Sequence, residues 1–152
     1  MDLAGWVRGV IEWNPVLVLP LLAATTAQGI KFLAGLATHR RVDFTRLIGT
    51  GGLPSSHSAS VTALSTAAGL EAGWSSALFG VCAFFSLVVM YDATGIRRAA
   101  GRQARVLNHI LEELKDYHKL GGERLIELLG HTPVEVVAGA AYGVALALVL
   151  YA

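Results

Sequence analysis

The sequence has one cysteine, Cys82, so no disulfide forms within the chain, and the apolar run around it marks a small buried residue. It is also poor in charge. Asp, Glu, Lys and Arg make up 15% of the 152 residues, against about 25% in soluble domains, which argues against an ordinary water-soluble globule. No repeat or low-complexity tract divides the chain, and its length suits one domain. No cleavable signal peptide is expected: Asp2, Arg8 and Glu12 interrupt the first thirteen residues, and no cleavage site precedes the long hydrophobic segment. No nucleic-acid partner is expected.

What remains is apolar. Hydrophobic residues reach 54% and the mean hydropathy is +0.56, the balance of an integral membrane protein. The expected fold is all-α: a membrane helical bundle of about four spanning helices, over 15–37, 55–73, 75–92 and 133–152, with a cytoplasmic amphipathic helical insertion over about 95–130. The first and last spans are long enough for a hydrocarbon core of ~30 Å. Met1 to Trp13 is expected to lie at the interface, anchored by Trp6 and Trp13. In the insertion, Val106, Leu107, Ile110, Leu111 and Leu114 recur at helical spacing among charges. Gly121-Gly122 breaks that helix, and a short helical piece is expected over 123–129.

Four spans place the loops 38–53 and 95–130 on one membrane face. Those loops hold nearly all the Lys and Arg, whereas the turn near Glu71, Gly73 and Trp74 has none. By the positive-inside rule that face is cytoplasmic and both termini lie outside; the expected membrane is the inner cell membrane. Every polar group of interest then falls at one depth: Lys31, His57, Asp92, Arg97, Arg98, His131 and Glu135.

The stretch Gly51-Gly52-Leu53-Pro54-Ser55-Ser56-His57 carries the chemistry. Its glycines let backbone amides turn toward an anion, and Pro54 is expected to open a helix whose free N–H groups form an anion site. Ser55 and Ser56 add hydroxyls, and His57 adds a titratable proton. In the first span Thr25, Gln28 and Lys31 fall roughly on one face, which should point into the bundle because a lysine is costly in lipid. His131 and Glu135 stand four apart, so on a helix the carboxylate would reach an imidazole nitrogen and fix the tautomer. Gly139 and Gly143 form a G-x-x-x-G, a packing motif for a homodimer or for the monomer's own interior.

Gly52 to Ala59, Tyr91-Asp92-Ala93-Thr94-Gly95-Ile96-Arg97-Arg98, Leu107-Asn108 and Leu129-Gly130-His131-Thr132-Pro133-Val134-Glu135-Val136 together resemble the divergent branch of the type 2 phosphatidic acid phosphatases, related to acid phosphatases and vanadium-dependent haloperoxidases. Pro54-Ser55-Ser56-His57 is similar to the superfamily's P-S-G-H motif, with Ser56 in place of glycine. His131 to Glu135 is similar to its H-x-x-x-D motif, with Glu for Asp. The resemblance implies a phosphomonoester hydrolase in which His131 is the nucleophile, Glu135 its orienting carboxylate and His57 the acid. Lys31, Ser55, Ser56, Arg97, Arg98 and Asp92 are the candidate substrate-binding residues. No arginine-proline pair follows Lys31, and Leu125 stands where the superfamily has an arginine, with Arg124 beside it. No cofactor and no metal are expected, and the partner is a lipid phosphate within membrane lipids. Two other readings stay open: a metal-dependent lipid headgroup transferase using Asp92, and an inactive protein that binds lipid phosphates.

Overall fold

The computed structural model describes residues 2–39, 52–117 and 130–152. The loop carrying Arg40, Arg41, Asp43, Arg46 and Gly51, the helical piece expected over 123–129, and Arg124 lie outside the described residues. Among the described residues the chain is helical throughout, in the order α1 (Leu3–Trp13), α2 (Pro15–His39), α3 (Ser56–Ala72), α4 (Ala77–Thr94), α5 (Ile96–Tyr117) and α6 (Pro133–Tyr151).

Side-chain caps set most of the boundaries. Asp2 accepts from Gly5 N at 2.8 Å at the start of α1, and Asn14 accepts from Leu17 N at 3.0 Å where α2 begins. Ser76 accepts from Phe79 N at 3.1 Å at the start of α4. A side-chain oxygen in these places satisfies one of the amides that a first helical turn leaves without an internal partner. At the other end of α4, Gly95 N donates back to Tyr91 O at 2.9 Å, and α5 begins at once.

The bundle is built around α3, on which α2, α4 and α6 all pack. Ten of its residues are buried, most of them Ala, Ser, Thr or Gly. Small side chains let the helices approach closely without a large apolar core. The tightest approach is to α6: a Cβ at Gly139 would collide with the backbone of Ser55, and one at Gly143 with the backbone of Ala59 and the hydroxyl of Thr62. The G-x-x-x-G pair therefore serves packing within the chain. Along the same seam Thr62 Oγ1 donates to Ala140 O at 3.0 Å.

Among the described residues three segments are long and apolar enough to cross a membrane: Pro15–Ala37, Ala77–Glu112, which runs from α4 into α5, and Pro133–Tyr151. The expected fourth, α3, has 17 residues and spans about 25 Å. Its hydroxyls are tolerated because three helices, rather than lipid, surround it. The outer faces carry the apolar load instead: Val81, Phe84, Phe85, Leu87 and Val88 on α4 and Val137, Val144 and Val149 on α6 are exposed. Trp6 and Trp13 on α1 are exposed as well.

One expectation is corrected by the packing, and one helix buries a face that its apolar spacing does not mark. On α2 only Lys31 of the trio Thr25, Gln28 and Lys31 is buried; Thr25 is exposed and returns its hydroxyl to Leu21 O at 2.9 Å. Among the described side chains of α5 the buried ones are Gly101, Ala104 and Asn108, while Val106, Leu107 and Ile110 are exposed. The helix is amphipathic, and what it buries is not its large apolar residues.

Candidate active site

The first turn of α3 and the first turn of α6 come together at one end of the bundle. Ser55 N donates to Glu135 O at 3.1 Å, so the two turns are joined through backbone. His131 N in turn donates to Ala93 O at 3.0 Å, which ties the residue before α6 to the last turn of α4. No sequence signal points to Ala93, because it takes part through its carbonyl rather than its side chain.

His131 does not sit on the helix, as its spacing to Glu135 suggests. Thr132 is the cap of α6 and Pro133 its first residue, so His131 precedes the helix. Thr132 Oγ1 accepts from Glu135 N at 3.3 Å, and Glu135 Oε2 accepts from Thr132 N at 3.1 Å, a capping box. The same Oε2 lies 3.0 Å from His131 Nδ1. The Thr-Pro-Val-Glu sequence carried this signature, since a Thr followed three residues later by Glu marks a helix start.

An ionised carboxylate only accepts hydrogen bonds, so Glu135 holds the imidazole proton on Nδ1 and leaves a lone pair on Nε2. His131 is 1% exposed, and its Nε2 is buried with no hydrogen-bond partner among the described residues. A buried polar atom in that state is uncommon and calls for an explanation.

His57, exposed in the first turn of α3, faces it: the two ring centroids are 6.2 Å apart with the planes tilted by 60°. Lys31 is 7% exposed and donates from Nζ to Ser56 Oγ at 3.3 Å. Gly52, at φ +85°, rides on the aliphatic stem of Lys31; a Cβ there would stand 3.3 Å from Lys31 Cδ, and the positive φ strains any other L residue. This is one position where glycine is required.

Pro54 and Ser55 differ from expectation. Pro54 lies outside the helix, before the cap, and Ser55 is the cap itself, its Oγ accepting from Ser58 N at 3.3 Å and lying 3.1 Å from Ser58 Oγ. Ser55 is fully buried, so its hydroxyl is engaged in capping rather than turned to a ligand. Ser56, half-buried and bonded to Lys31, is the hydroxyl on the accessible side. Asp92 is half-buried in the last turn of α4. Arg97 and Arg98 open α5 by their backbone, and their side chains lie outside the described residues. Among the described residues no three His, Cys, Asp or Glu side chains converge as metal ligands would.

Residues 13–146 match the divergent PAP2 family. The chain belongs to that family. It is also 45% identical over 148 residues to the uncharacterized membrane protein YuiD of Bacillus subtilis (strain 168), an alignment covering 90% of this chain and 94% of that protein. No solved structure matches the chain. For a divergent PAP2 protein, membership supports a membrane protein with a phosphatase relationship at the level of the family, and the roles of the individual residues rest on the geometry above.

Proposed function

We propose that this divergent PAP2 protein is a membrane-embedded lipid phosphate phosphatase that works through a phosphohistidine intermediate, on a phosphomonoester such as phosphatidylglycerol phosphate or phosphatidic acid at the cytoplasmic face. The observation that carries the reading is the His131 imidazole: pinned by Glu135 and by its backbone, buried, with Nε2 unpartnered among the described residues and the His57 ring centred 6.2 Å away.

In-line displacement at phosphorus needs a nucleophile at about 3–3.5 Å on one side and a proton donor within about 2.6–3.2 Å of the leaving oxygen on the other. With the intervening P–O bond, the two reacting nitrogens stand roughly 7 Å apart. The two imidazoles, with ring centroids 6.2 Å apart, are neighbours on the scale of that displacement. His131 Nε2 donates its lone pair to phosphorus, the bond to the lipid oxygen breaks, and protonated His57 gives its proton to the departing alkoxide. Neutral His57 then takes a proton from water. The water oxygen bonds to phosphorus, the N–P bond breaks, and inorganic phosphate leaves with His131 restored. Charge that builds on the equatorial oxygens faces the Lys31 ammonium, the Ser56 hydroxyl and the amides that open α3.

The test is phosphate release from a panel of lipid phosphates by the purified protein, with and without EDTA. Release is expected to persist in EDTA and to be abolished in His131→Ala, with the variant still folded by gel filtration. Turnover retained in that variant removes the nucleophile assignment. Lipid phosphate binding without any turnover replaces the phosphatase by a binding protein.

A further inference from the structure

The neighbours of α3 divide its circumference into sectors. Toward α6 lie Ala59 and Thr62, which meet Gly143 and Ala140. Toward α4 lie Val61 and Ser65, both bonded to Ser86. Toward α2 lies Ser56, bonded to Lys31. At 100° per residue, the seam between the α6 and α4 sectors contains Ser58, Thr62, Ser65 and Gly69, and all four are buried. That side is closed.

The seam between the α4 and α2 sectors is different. It contains His57, Ser60 and Leu64, spaced by three and four residues, and none of them is buried. Consistent with this, α2 and α4 make almost no contact with each other among the described residues. Further along, Ala67 and Ala68 are buried, so the opening ends there. From His57 to Leu64 it runs about 10 Å along α3.

We propose that this groove between α2 and α4, floored by Ser60 and Leu64, receives one hydrocarbon chain of the lipid whose phosphate sits at His57, Ser56 and Lys31. Three features select that occupant. The groove is continuous with the cationic end of the site, so an anionic head and an apolar tail on one molecule match it from end to end. It opens sideways between helices whose outer faces are apolar, where acyl chains already lie. It is about two turns deep, whereas a helix from a second copy would need an unobstructed face at an interaxial distance of about 8–10 Å along several turns. The small side chain of Ser60 leaves room at the mouth, and Leu64 gives the chain an apolar stop. The inference takes only the identity of the head group from the phosphatase reading.

The experiment uses the full chain in nanodiscs with phosphatidic acid bearing a photoactivatable diazirine in one acyl chain, followed by mass-spectrometric mapping of adducts. Adducts are expected at Ser60 to Leu64, and Leu64→Trp and Ser60→Leu, each checked for folding by gel filtration, are expected to lower them roughly tenfold. Adducts confined to the outward residues Phe84, Val88 and Val137, unchanged in both variants, overturn the groove. Disulfide-linked copies of a Ser60→Cys variant would assign it to a second chain and overturn it equally. Adducts in the groove without any phosphate release would uphold the groove while removing the phosphatase.

Discussion

The seam between α3 and α6 and the seam between α3 and α4 use different chemistry. At the first, Gly139 and Gly143 bring one backbone against another, Thr62 bonds to Ala140 O, and Ser55 N bonds to Glu135 O. At the second, Ser65 and Ser86 place their hydroxyls 2.6 Å apart, both in reach of Val61 O at 3.0 and 2.6 Å. The first seam joins the turns that carry the two histidines and so sets their separation. The second lies two to three turns down α3 and holds the scaffold. Damage to the first should therefore reach both fold and chemistry, and damage to the second only stability.

The largest effect is expected from Gly143→Leu. A side chain there has no space, because its first atom already meets the Ala59 carbonyl and the Thr62 hydroxyl. Overpacking typically costs about 1–3 kcal/mol and more where only backbone can yield. The variant is expected to give no monodisperse folded protein on gel filtration. A well-folded Gly143→Leu would mean that the two helices are not in contact as described.

Glu135→Gln tests the same seam without changing volume. Gln retains the capping geometry, since Gln also serves at the third position of a capping box. One carboxylate oxygen accepts from both Thr132 N and His131 Nδ1, so the Gln oxygen keeps both bonds, but a neutral amide no longer offsets the positive charge that the imidazole takes on as Nε2 bonds to phosphorus. Phosphate release is expected to fall about 100-fold, a barrier increase of about 2.7 kcal/mol, with thermal stability nearly unchanged. Equal losses in rate and stability would show that Glu135 acts only as a cap.

The contrast between the seams also explains what could be read before the structure. Helix positions followed from the lengths of the apolar runs and from the turn near Gly73, because these signals are local in the chain. The convergence of Lys31, His57 and His131 followed from the depth at which each apolar run ends. The capping role of Ser55 and the place of His131 before its helix were obscured because a Ser beside a Pro, or a His four from a Glu, has the same spacing in either role. The burial of Gly101, Ala104 and Asn108 on α5, instead of its larger residues, comes from tertiary packing, which the spacing of apolar residues does not reveal. The Ala93 carbonyl and the fit of Gly52 on Lys31 involve backbone, which carries no residue signature.

A smaller change at the first seam is Gly139→Ala. Its single added carbon meets the Ser55 backbone, which is joined to Glu135 O, so relief must come from sliding the start of α3 away from α6. The expected destabilisation is about 1–3 kcal/mol. A shift near 1 Å in the separation of the histidines is expected to reduce phosphate release by about 100-fold. Here activity should fall further than melting temperature. Proportionate losses would place the histidines outside the influence of this contact.

The smallest effect is expected at the second seam, from Ser86→Ala. The change removes a hydroxyl that also reaches Cys82 O at 2.8 Å, but Ser65 keeps its own bond to Val61 O, so no buried carbonyl loses every donor. Hydrogen bonds between helices in a membrane average about 0.6 kcal/mol and reach about 1.7 kcal/mol. A shift in that range in a denaturation series is expected, with phosphate release per folded molecule unchanged, since α4 touches the site through the Ala93 carbonyl near its other end and not through Ser86. A loss of activity out of proportion to this shift would mean that α4 transmits strain along its length to His131, and the division between a chemical seam and a structural seam would fail.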